Sequence, residues 1–197
     1  MSSLHPGQSA QIAADVTQHA ADRPDSYWRS LHFFNIYRLA VGLLLLGVVA
    51  VFGDSLTFGS HNLALFVYAD AAYVLFSAAC FGLIGSRRRF SLQLSVQVAA
   101  DVVFIVVMMH ASGGISSGLG LLLLPGLAAA GLVSRGRLTL FHAALASIAV
   151  LLEHTVQVLY FNGLTTQYVQ SGLLSIGYFT TAWVAHTLAN YLLATEQ

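Results

Sequence analysis

Between residues 32 and 194 the sequence returns six times to an apolar run close to the length of one bilayer crossing: 32–53, 63–84, 92–110, 117–133, 138–160 and 169–194. A helix needs about 20 such residues, in a range near 17–25, to cross the hydrocarbon core. The chain is 57% hydrophobic and only 8% charged, where soluble domains carry about 25% charge. One soluble core cannot hide that much apolar surface, so the fold class is an all-α membrane protein with six transmembrane helices. The fourth run is at the short limit and holds Pro125-Gly126. A kink is expected there, because proline removes a backbone donor and clashes one turn back.

Residues 1–31 are more polar and lack the basic start and short apolar core of a cleavable signal peptide. They read as an N-terminal tail, with residues 32–197 as the six-helix domain. All eight basic residues are arginine. Arg23, Arg29 and Arg38 precede or begin the first run, Arg87, Arg88 and Arg89 fill the second connection, and Arg135 and Arg137 fill the fourth. With six crossings every arginine falls on one side, which the positive-inside rule makes cytoplasmic. Both termini are then cytoplasmic. Arg38 is expected to snorkel to that surface. Trp28, Tyr37, Phe58, Tyr68, Tyr160, Phe161 and Tyr168 mark the two interfaces. The remaining connections ("DSLTFGSHN", "ASGGISS" and "NGLTTQ") are too short for a folded domain. Whatever is detected is therefore detected within or at the surface of the membrane.

Ionisable groups at membrane depth cost roughly 2.5–3.5 kcal/mol on insertion scales, so each needs a partner. Gln93, Gln97 and Asp101 follow at four-residue steps and share one face of the third helix. His186 and Asn190 form a similar pair in the sixth. Asp101 and His186 come at similar depth, so an Asp101–His186 contact is one expectation. Asp70 and Glu153 lie in the outer halves of the second and fifth helices, with His61, His110 and His154 towards the same side. Tight ligand spacing is missing, and adjacent Glu153 and His154 point about 100° apart, so no metal site is expected. The single cysteine, Cys80, reads as a packing residue.

The segment "HASGGISSGLG", residues 110–120, joins the third and fourth runs. Gly113 and Gly114 supply positive φ for a tight reversal. Ser116 or Ser117 is placed to cap the next helix. Gly118 and Gly120 leave its first turn bare, so that a second helix can approach. These six residues are the candidate docking groove for a partner's transmembrane helix.

The chain shows no phosphate-cradling loop, nucleophile–base set, haem or zinc motif, or nucleic-acid surface. No catalytic residue is assigned, and no cofactor is expected in this segment. No internal repeat is evident and only the third and sixth helices look polar, which argues against a small transporter or channel. The last residues, "ANYLLATEQ", carry no basic anchor and read as a helix cut from a longer rod.

Five pieces spread along the chain carry a resemblance: "IYRLAVGL" at 36–43, "ADVVFIV" at 100–106, "ASGGISSGLG" at 111–120, "SRGRLTL" at 134–140 and "YVQSGLLSIGYF" at 168–179. In this order, with six runs, the chain resembles the membrane sensor region of PilS-type histidine kinases, which control type IV pilus genes. Those kinases often have proline where this chain has Ser116. The resemblance implies a homodimer in the bacterial inner membrane that detects the major pilin through its apolar helix. It also implies a kinase domain, absent here, that uses ATP and Mg and acts on a response regulator. His186 lies at membrane depth and is not its phospho-accepting histidine. A neighbouring family, the RegB-like redox kinases, has a quinone motif with Asn-Pro-Phe where this chain reads "GGISSGL"; the missing tripeptide argues against that alternative.

Overall fold

The computed structural model describes residues 32–53, 57–85, 90–134, 136–160 and 167–195. The tail and Arg23, Arg29, Arg87, Arg88, Arg89 and Arg135 lie outside the described residues, as do Trp28 and Phe161. Six α-helices follow one another: α1 (His32–Phe52), α2 (Leu63–Gly85), α3 (Phe90–Ala111), α4 (Leu123–Val133), α5 (Gly136–Tyr160) and α6 (Tyr168–Thr195). The described residues contain no strand. Five helices start and stop within two residues of the apolar runs. Apolarity and length set these elements, because a buried backbone must satisfy its own hydrogen bonds. By length and composition, His32–Phe52, Leu63–Gly82, Leu92–Ala111 and Gly136–Tyr160 suffice to cross a membrane. The 28 residues of α6 are long enough too, but serine, threonine, histidine and asparagine dilute its apolarity.

The fourth run forms a short helix: Leu119–Val133 is continuous, with a 3-10 first turn at Leu119–Leu122 and 11 residues of α-helix after it. Together they rise about 24 Å, somewhat less than the ~30 Å core. A separate 3-10 turn, Gly114–Ser117, precedes it. Pro125 follows the 3-10 turn Leu119–Leu122 by three residues; it has no N–H for the Leu121 carbonyl one turn back, where 3-10 gives way to α-helix. The reversal before this helix lies at Gly113, Gly114 and Gly118, with φ of 83°, 85° and 74°. Side chains rarely adopt this left-handed region, and glycine does so freely.

Side-chain contacts fix the directions. His32 meets Phe81, and Asn35 Nδ2 donates to Ser77 O, so α1 and α2 run antiparallel. Ser95 faces His142, and His110 faces Glu153, so α3 and α5 run parallel. His154 stacks edge-on against Tyr168, and Gly136 lies against His186, so α5 and α6 are antiparallel. Residues 187–195 of α6 thus extend past the first residue of α5.

Close packing holds α4 against α6. A Cβ at Gly131 would sit 2.9 Å from Ala182 O and 2.9 Å from Ala185 Cβ. Higher on the same seam the Tyr178 hydroxyl donates to Gly120 O at 2.8 Å. This is the small-residue packing expected where the hydrophobic effect does not drive association. The hairpin between α3 and α4 is tied to the α1–α2 connection. His61 N and Asn62 N both donate to Ala111 O at 3.0 Å, and Gly59 N donates to Ser112 Oγ at 3.0 Å.

Gly131→Leu should destabilise the domain by about 1–3 kcal/mol through overpacking. Gly172→Leu, on the same partner helix but with nothing within 4 Å of its Cβ position, should be nearly neutral. Thermal unfolding in detergent, followed by fluorescence or aggregation, compares the two.

Candidate functional site

The bundle holds two clusters of polar side chains. The inner one begins with Arg38, which does not snorkel. It is fully buried. Its Nε donates to Asp101 Oδ2 at 2.9 Å, and its NH2 group contacts the same oxygen. Its NH1 group donates to Gln97 Oε1 at 3.1 Å. The guanidinium also lies 4.4 Å from the centre of the Phe34 ring, within cation–π range. Six residues separate Arg38 from the start of α1, too far for its side chain to prefer water over a carboxylate close at hand. The four-residue spacing of Gln97 and Asp101 puts both on the face of α3 that receives it.

Asp101 therefore pairs with Arg38, not with His186. His186 sits beside Gly136 at the start of α5 and bonds Asn190, Nδ2 to Nε2, at 3.2 Å. Gln93 is only half-buried, one turn from Gln97. Asp70 is buried on α2 with neither carboxyl oxygen hydrogen-bonded. It faces Gly42 of α1, whose Cβ position is 3.3 Å from Asp70 Oδ1. Cys80 is buried, as its packing role requires.

The second cluster is at the hairpin end. His110 Nδ1 lies 3.3 Å from Glu153 Oε1 and 3.3 Å from Gln157 Nε2. One ring nitrogen either donates or accepts, so it serves one of them at a time. Gln157 Nε2 has an alternative acceptor in His110 O at 3.4 Å, which leaves Nδ1–H for Glu153. The second carboxyl oxygen, Oε2, is buried without a partner. His61 approaches the His110 ring edge-on at 6.0 Å. His154 turns to the other side of α5, against Tyr168 at 4.4 Å. Among the described residues no three histidine, cysteine or acidic side chains are grouped to hold a metal ion.

The glycine-serine hairpin divides in two. Gly114 packs on Gln157, and Gly120 is covered by Leu174 and Tyr178 of α6. Ser117 Oγ donates to Gly114 O at 2.8 Å and accepts from Leu119 N at 3.4 Å. Ser116 Oγ donates to Gly113 O at 3.3 Å. Ser116 and Gly118 are exposed, and a Cβ at Gly118 would meet nothing within 4 Å. Gly120, expected to be bare, is thus filled from within the chain.

Sequence reasoning missed Arg38, Asn35 and Tyr73 as parts of the inner cluster. Tyr73 lines the same small cavity as Arg38 and Asp101. The available signal was a lone arginine embedded in an apolar run, in a chain with an equally embedded aspartate.

Several apolar helices long enough to cross a membrane, together with the two likenesses that follow, make this a multi-pass protein of the bacterial inner membrane. Residues 20–197 match the model of the PilS-like transmembrane domain, and the chain belongs to that family. It is 29% identical over 168 residues to the Sensor protein kinase PilS of Pseudomonas aeruginosa. That alignment covers 85% of this chain and 32% of the relative, so the chain spans about a third of the relative's length. No solved structure matches it.

Arg38→Leu or Asp101→Leu should each destabilise the domain by about 3–5 kcal/mol, because each strands the other charge. The double variant Arg38→Leu/Asp101→Leu should recover most of that loss. Unfolding midpoints of the four proteins in one detergent make the double-mutant cycle.

Proposed function

We propose that this chain is the membrane input domain of a sensor histidine kinase of pilus regulation. It crosses the membrane six times with both termini cytoplasmic and reads a pilin transmembrane helix inside the bilayer. The observation that carries this reading is the family match over residues 20–197. The bundle supports it: among the described residues the α1–α2 connection is tied to the α3–α4 hairpin by backbone hydrogen bonds from His61 N and Asn62 N to Ala111 O. The chain acts as a homodimer and is coupled to a kinase domain that uses ATP and Mg and passes the signal to a response regulator.

A dimer seam fits the outer face of α6. Val169, Leu173, Ile176, Thr180, Trp183, Thr187 and Asn190 are exposed and alternate by four and three residues. This is the spacing that meets a partner helix in a left-handed supercoil. The pilin helix docks at the hairpin end of α4, where Ser116 and Gly118 stay open. Gly113, Gly114, Ser117 and Gly120 hold the shape of that surface.

Two measurements test the reading. In a Cys80→Ser background, Thr57→Cys and Ser116→Cys should react with an impermeant thiol reagent from the periplasm, and Asn190→Cys should not. Gly118→Leu should lower crosslinking to a pilin transmembrane peptide several-fold in membranes, while crosslinks between copies through Thr180→Cys persist. Unchanged pilin crosslinking would remove the docking role.

A further inference from the structure

Three acids lie among the described residues, all within helices: Asp70, Asp101 and Glu153. Asp101 has Arg38, and Glu153 has His110. Asp70 has neither cation nor donor: it is 0% exposed, and neither carboxyl oxygen finds a hydrogen bond. Phe66 and Tyr73, buried one turn to either side on α2, close it off along that helix. The backbone of α1 closes it from the front. A Cβ at Gly42 would stand 3.3 Å from Asp70 Oδ1, 2.7 Å from Val74 Cγ2 and 3.4 Å from Tyr73 Cδ1. The carboxyl is thus held against α1 at a position with no side chain to offer it a hydrogen.

The titratable groups on the surrounding elements are already committed. On α1, Arg38 lies one turn from Gly42 on the same face, and its donors go to Asp101 and Gln97. On α3 the group is Asp101 itself, held in that pair. Tyr37 and Tyr73 line the small cavity beside the pair, and the Tyr73 ring packs on Phe104. His61 and His110 belong to the hairpin-end cluster with Glu153. A buried carboxylate with no counter-ion and no donor is so costly that such a group takes up a proton instead.

We propose that Asp70 is a proton-binding site that sets the packing of α1 on α2. The interface holds the neutral acid. When the O–H bond breaks and the proton leaves to water, the electron pair stays on a carboxylate with no donor in reach, and α1 separates from α2 to admit water. Asp70 is seven residues from the first residue of α2 and 15 from the last, about 10 Å and about 22 Å along the helix. The proton therefore exchanges through the hairpin end. That end is periplasmic in the topology proposed above; the side that is sensed rests on that topology, and the binding of the proton does not. The site also stands apart from Ser116 and Gly118, so it and the pilin-docking surface can fail separately.

The test uses the whole chain in phosphatidylcholine nanodiscs and infrared spectroscopy. At about pH 6 a carbonyl stretch of a protonated carboxyl is expected that shifts in D2O and on labelling with 13C-aspartate. Asp70→Asn, which keeps the shape of the acid and cannot ionise, should lose it. In a Cys80→Ser background, spin labels at Leu44→Cys and Leu75→Cys, both exposed, read the separation of α1 and α2. The separation should widen by a few ångström as the band disappears towards about pH 9, and should stay fixed in Asp70→Asn. The same band in Asp70→Asn, no such aspartate band in the unaltered chain, or a separation that ignores pH or follows it equally in both proteins would each overturn the proposal.

Discussion

The ion pair between Arg38 and Asp101 sets the terms for the rest of the bundle. Each charge alone at membrane depth costs several kcal/mol. Together, and with Gln97 taking a third guanidinium hydrogen bond, they hold α1 to α3 at one register. Any shift of α1 by a turn would separate the pair. Phe34 closes the guanidinium from one side, and Asn35 fastens the same stretch of α1 to α2 through Ser77 O.

Hydrophobicity made the helices legible. Five of them coincide with apolar runs because in lipid the backbone must close its own hydrogen bonds wherever the side chains are apolar. The fourth begins two residues later than its apolar run because Gly118, with its left-handed φ, belongs to the reversal with Gly113 and Gly114, and Pro125 lies one turn after the point where its 3-10 start becomes α-helix. Partner choice was hidden for a different reason. The spacing of Gln93, Gln97 and Asp101 shows that they share a face, but nothing local shows which helix meets it. Depth suggested His186, and neighbourhood decided for Arg38. The snorkelling expectation weighed the arginine against water alone and omitted a carboxylate as competitor.

Both polar clusters keep buried hydrogen-bonding capacity. Around Arg38 three donors find acceptors on α3 and an aromatic face lies against the guanidinium, yet Asp101 Oδ1, Gln97 Nε2 and Asn35 Oδ1 have no partner. At the hairpin end, His110 is shared between two neighbours and Glu153 Oε2 has none. The glycines divide more sharply: Gly120 and Gly131 are covered by α6, and Gly118 remains open.

The overhang of α6 makes the domain a lever. Tyr178 on Gly120 and Ala182 on Gly131 pin its shaft to the α4 segment, and His186 rests on the first residue of α5. Beyond that fulcrum nine residues, 187–195, continue as helix, an arm of about 14 Å. A tilt of roughly 10° about the fulcrum would carry the tip through about 2–3 Å. Small repacking at the short fourth helix is thereby magnified at the far end, with no helix having to bend.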